Sequence, residues 1–192
     1  IADTGPWAPI LHGDAPYVLK PPLMFWGTAG LFSIFGVSAW TSTLLSRLFG
    51  FAVVLLTARL AYQRTRSSVA AWWAAIVVVT TVPFLENATT LRLDSALVAG
   101  ILLSMVALGE ERGRWRPAAF YAGVTIATLA KGVPGLMPLG LAVVLVVVDR
   151  RFAWATVRPW LVWSVLLLPI PVWYVGIDFV LTHAATTEIT RD

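Results

Sequence analysis

Arg47-Leu48-Phe49-Gly50-Phe51-Ala52-Val53-Val54-Leu55-Leu56-Thr57-Ala58-Arg59 is an apolar run held between two arginines. Extended to residues 42–62, it reaches the roughly 20 helical residues that a bilayer core requires. Composition puts the rest of the chain in the same solvent. Of 192 residues, 58% are hydrophobic and 12% charged, with a mean hydropathy of +0.80. An average soluble domain is about 25% charged. There is no cysteine, which excludes a disulfide framework and a thiolate metal site. The net charge of +4 would suggest nucleic acid in a soluble protein. Here the cations fall between apolar runs, which is a pattern of membrane topology, and no nucleic acid partner is expected.

Further apolar runs follow at 69–85, 95–109, 117–130, 133–148 and 159–181, several of them short for a crossing. Residues 23–40 are apolar but broken by Gly27, Gly30 and Gly36, with Trp26 and Trp40 near the ends. Residues 1–22 are rich in proline and glycine and read as a loop with aromatic edges at Trp7 and Tyr17.

The cations set the orientation. Arg59, Arg64 and Arg66 fall in one loop, Arg112, Arg114 and Arg116 two loops later, and Arg150, Arg151 and Arg158 two loops after that. If the six runs from 42–62 onward each cross once, every triplet lands on one side, the inside. The segment 23–40 is then an interfacial helix, because another crossing would put Lys20 inside. The expected architecture is an all-α polytopic membrane protein of about six transmembrane helices. Residues 1–22 form an outer (periplasmic) loop, 23–40 a juxtamembrane helix, 41–181 the helical bundle, and 182–192 the start of another outer loop. Since the chain starts at Ile1 with no signal-peptide pattern, it reads as an internal piece of a longer one.

The same assignment gathers the sparse charges Lys20, Glu86, Arg92, Asp94 and Lys131 on the outer face. In Tyr17-Val18-Leu19-Lys20-Pro21-Pro22-Leu23 the double proline holds Lys20 on a non-helical segment, so a helix starts only at about Pro22 or Leu23. In Leu129-Ala130-Lys131-Gly132-Val133-Pro134-Gly135 a cation sits in a tight hairpin between apolar helices and needs an anionic partner or a wet cavity. Asp94 stands at a helix start, where capping and the helix dipole alone would account for it. For Lys20 alone, snorkelling to headgroups would suffice.

These two motifs, with Leu91-Arg92-Leu93-Asp94 between them, occur in order at the outer ends of successive runs. In this the chain resembles the polytopic C-type glycosyltransferases of the dolichyl-phosphate-mannose protein mannosyltransferase superfamily. The likeness is strongest to the bacterial branch that includes the lipid A aminoarabinose transferase. The resemblance implies an inverting transferase of the bacterial inner membrane, with its active site facing the periplasm or exterior. It would take a sugar from a polyprenyl-phosphate donor and pass it to a lipid, glycan or protein acceptor. It also places an Asp-Glu pair in an outer loop ahead of Ile1, so the main catalytic acid pair is expected outside these residues. Leu19 departs from the family, whose members often carry a charge there.

On that reading Lys20 and Lys131 clamp the donor phosphate, Arg92 assists them, and Tyr17 packs on sugar or prenyl tail. Asp94 is the catalytic candidate, orienting the acceptor or a divalent metal. No cofactor is otherwise called for, and neither His12 nor His183 has metal-ligand company. The competing classes are a relative that binds polyprenyl phosphate without transfer, and a transporter subunit. Against a transporter stand the lack of an internal repeat and the position of the charges at one face.

Overall fold

The chain, a computed structural model, is described at residues 20–110, 113–148 and 161–176, and as backbone at 11–12 and 15–16. The architecture is helical apart from a small antiparallel pair, β1 (Leu11–His12) with β2 (Ala15–Pro16), in which His12 faces Ala15. The helices are α1 (Leu23–Phe35), α2 (Ala39–Thr65), α3 (Ser68–Thr80), α4 (Val82–Thr89), α5 (Asp94–Gly109), α6 (Arg116–Lys131) and α7 (Met137–Val148). A last helical segment, α8, runs over Leu161–Gly176 with a 3-10 turn at Ser164–Leu167.

Local chemistry sets these boundaries. α1 begins at Leu23, directly after the diproline, and the Trp26 N–H donates to the Pro22 carbonyl at 2.8 Å. It ends at Gly36, whose φ of +75° suits a residue without a Cβ. Two residues on, a reciprocal capping box starts α2: the Thr41 N–H donates to Ser38 Oγ and the Ser38 N–H to Thr41 Oγ1. The expected helix over 23–40 is therefore two pieces, with Ala39 and Trp40 belonging to α2. With 27 residues, α2 is the one helix among those described that is long and apolar enough to cross a membrane by itself. At 1.5 Å per residue it extends roughly 40 Å.

The run 69–85 is not one straight helix. α3 stops at Thr80, Thr81 is extended, and α4 departs at 70° with Pro83 in its first turn. Proline has no N–H to continue the ladder and clashes with the preceding turn, so it starts a new helix instead of lengthening the old one. Together α3 and α4 are apolar enough to cross.

Small polar residues share the interior with apolar ones, and large apolar residues cover the outside. Thr28, Thr41, Ser46, Ser95, Ser104 and Thr128 are buried, whereas Trp72, Trp73, Val147 and Val148 are mostly exposed. So broad an apolar surface suits lipid, not water. Between α5 and α6 small residues let backbones meet, as in membrane helix pairs. A Cβ built on Gly100 would lie 2.5 Å from the Gly123 carbonyl oxygen. Beside that contact Ser104 Oγ donates to the Phe120 carbonyl at 2.9 Å. α2 also packs along α5.

Candidate functional site

Three sequence segments converge because each sends a neighbour into one apolar floor. Met24, Ala96 and Ala130 are buried together, with Leu23, Leu93 and Leu97 packed around them. Met24 follows the lysine–diproline motif, Ala96 follows Asp94, and Ala130 precedes Lys131. Burying those three side chains fixes the polar residues beside them at one end of the bundle. Pro22 is fully buried while Lys20 is exposed, so the diproline is anchored and the cation is presented.

Above the floor lies a cavity of about 480 Å³ lined by Lys20, Pro21, Leu91, Arg92, Leu93, Asp94 and Lys131. It brings together four of the five site residues expected from sequence. Tyr17, the fifth, lies outside the described residues. Lys131 Nζ donates to Asp94 Oδ1. Neither Lys20 nor Arg92 has an acidic partner among the described residues. Three cations against one carboxylate leave the cavity positively charged and open to an anion.

Asp94 is the first residue of α5, but the cap position belongs to Leu93, and no side chain caps this end. The carboxylate instead reaches across to α6, so capping does not account for it. The Arg92 carbonyl accepts from Ser46 Oγ of α2 at 3.4 Å, and the Arg92 N–H donates to the Thr90 carbonyl at 2.9 Å. Both contacts tie the loop between α4 and α5 without using the guanidinium.

The Lys131 motif also has a physical account. Lys131 ends α6, and Gly132, with φ +78°, donates its N–H to the Thr128 carbonyl at 2.7 Å and reverses the chain. The turn Val133–Leu136 then folds back on α6. A Cβ on Gly135 would collide with the backbone of Ala127 and Thr128, so glycine is required there.

At the far end of α5, roughly 24 Å away at 1.5 Å per residue, Arg59 of α2 pairs with Glu110. A hydrogen bond from Arg59 holds the Glu110 carboxyl below its usual range, against a smaller opposing effect of burial. Arg116 donates to the Ala107 carbonyl at 3.2 Å beside it. Arg59 and Arg116, from two of the arginine triplets, thus share one end of the bundle, and Lys20, Asp94 and Lys131 share the other. Among the described residues no group of three or more His, Asp or Glu comes together that could hold a metal. Asp94 alone does not make a metal donor set.

Sequence reasoning passed over the end of α8. Trp173 meets Trp26 edge-on at 5.2 Å, and the next residue, Tyr174, has its hydroxyl against Gly132. An aromatic pair near the end of an apolar run reads from sequence as an interfacial belt.

A family model described as dolichyl-phosphate-mannose-protein mannosyltransferase matches residues 1–185. Among solved structures, the crystal structure of ArnT from Cupriavidus metallidurans in the apo state is similar, with a TM-score of 0.75 and 22% sequence identity. The match covers 92% of this chain and 34% of that one, so the chain spans about a third of the length of ArnT. A comparison with curated proteins finds no match.

Proposed function

Because the chain belongs to the dolichyl-phosphate-mannose-protein mannosyltransferase family, we propose that it is the donor-binding part of a membrane glycosyltransferase. The donor is a polyprenyl-phosphate-linked sugar, the acceptor a lipid, glycan or protein, and the reaction runs at the periplasmic face of a bacterial inner membrane. The observation that carries this reading is the convergence of Lys20, Arg92, Lys131 and Asp94 around one cavity at one end of the bundle.

The chemistry follows from the charges. The acceptor heteroatom attacks the anomeric carbon as the bond from that carbon to the phosphate oxygen breaks. The electron pair leaves with the polyprenyl phosphate, and the acceptor proton passes to a carboxylate. Negative charge grows on the phosphate, so fixed cations there stabilise the transition state more than the ground state. Lys20, Arg92 and Lys131 fill that role. Asp94 orients Lys131 and the acceptor, and the apolar grooves between the helices take the prenyl tail. Six crossings, with the arginine triplets inside and this cavity outside, give that arrangement its orientation. The separation of the two groups along α5 supports it: Arg59 and Arg116 lie at one end and the cavity residues at the other.

Transfer is tested by supplying membranes that contain the whole protein with a labelled polyprenyl-phosphate sugar and an extract of candidate acceptors. Label appearing on a lipid, glycan or protein supports the proposal. Donor binding without transfer supports the binding-only relative instead, and neither binding nor transfer removes the reading.

A further inference from the structure

We infer that Tyr174 is a further donor-binding residue, its hydroxyl donating a hydrogen bond to the phosphate between Lys20 and Lys131. The inference rests on the reading that the cavity takes a polyprenyl phosphate. The edge-on contact of Trp173 with Trp26 seats α8 against α1, at 5.2 Å between ring centres. The next side chain then reaches the turn after α6. A Cβ built on Gly132 would lie 3.3 Å from the Tyr174 hydroxyl oxygen and 3.9 Å from Pro21 Cγ. Gly132 is the residue after Lys131, and Pro21 the residue after Lys20 and itself part of the cavity wall. The hydroxyl therefore lies beside the turn that follows Lys131, next to the cavity wall and not part of its lining, on a turn that Pro21 also approaches.

Among the described residues this hydroxyl has no hydrogen-bond partner, and the Gly132 N–H beside it is already taken by the Thr128 carbonyl. A phenol donates one hydrogen, which the cations of the cavity cannot accept but an anion drawn to them can. Phosphate oxygens supply that acceptor. A belt tyrosine would serve with its ring at the headgroup level and would not need the hydroxyl beside this turn.

The test uses the whole purified protein with its polyprenyl-phosphate sugar. Tyr174→Phe removes the hydroxyl and keeps the ring. Donor KM should rise roughly tenfold, as for loss of a hydrogen bond to a charged group, with thermal stability nearly unchanged. Trp173→Leu, which loosens the seat of α8, should lower thermal stability, as Tyr174→Phe should not. If Tyr174→Phe leaves donor KM unchanged while Lys131→Ala raises it, the tyrosine inference is overturned and the cavity reading stands. If Lys131→Ala has no effect either, the cavity reading fails and the inference fails with it.

Discussion

Lys131, the last residue of α6, places its ammonium on the carboxylate of Asp94, the first residue of α5. The two side chains remain 45% and 37% exposed. An ion pair that exposed stabilises a fold by about 0–1 kcal/mol. Stability is therefore a poor reason for its place in the wall of a cavity that holds two more cations. Orientation of Lys131 is a better one.

Asp94→Asn separates these roles. The amide keeps the shape, removes the charge, and loses a pair that matters little to folding. Thermal stability in detergent should stay close to that of the parent while transfer falls by at least about tenfold, or roughly 1.4 kcal/mol in barrier. An Asn variant with full activity would leave Asp94 with a structural part alone.

The turn after Lys131 gives a prediction about packing. Gly135→Ala puts a Cβ into the α6 backbone, and overpacking of that kind typically costs about 1–3 kcal/mol. Because the displaced turn follows Lys131 directly, activity should drop along with stability. Gly140→Ala, where nothing lies within 4 Å of the added carbon, should be neutral or stabilising by up to about 1 kcal/mol. Melting curves of the two variants side by side decide the matter, and equal effects would contradict the close contact.

At the other end of α5, Arg59 lowers the Glu110 pKa from its ordinary 4.5. A carboxyl whose folded pKa is depressed adds stability above its unfolded pKa, and loses it as pH falls through the folded one. Glu110→Gln should therefore melt slightly below the parent at neutral pH, and the two curves should converge in acid below the carboxylate range. A gap that persists unchanged in acid would mean the charge on Glu110 is not what Arg59 uses.

Orientation can be read with single cysteines, since the chain has none of its own. Ser68, exposed at the start of α3, stands beside the arginines at the end of α2, and Thr90, exposed after α4, stands beside the cavity. Cysteines at these positions should react with an impermeant reagent from opposite sides of intact cells. Labelling from one side would make α3 and α4 a re-entrant pair and remove one crossing.

Much of this was legible in the sequence, and the parts that were not have physical reasons. Lys131 stood out because a cation in a tight apolar hairpin is costly without an anionic partner or a wet cavity. Lys20 alone read as a snorkelling lysine and gained weight only from the motifs that follow it. Their convergence was not visible, because it depends on Met24, Ala96 and Ala130 sharing one floor, a contact between residues distant along the chain. Asp94 looked like a cap because helix starts favour carboxylates; which side chain it reaches is decided by how α5 lies on α6. The run 69–85 looked straight because Pro83 sits near its end, where proline either ends a helix or starts the next. The α5–α6 contact at Gly100 and Gly123 left only a weak trace, since glycine within an apolar run has many other uses. Tyr174 was hidden by its resemblance to any interfacial aromatic.

The central claim is that Lys20 and Lys131 hold a donor phosphate, and donor kinetics of Lys20→Ala and Lys131→Ala in the whole protein test it most directly. Each substitution should weaken donor use by roughly ten- to a hundredfold at normal expression, the range for a charge-assisted contact to phosphate. Arginine at either position should restore only part of the loss, because its planar fork differs from an ammonium. Full activity in both alanine variants would contradict the claim and return the two lysines to the membrane edge.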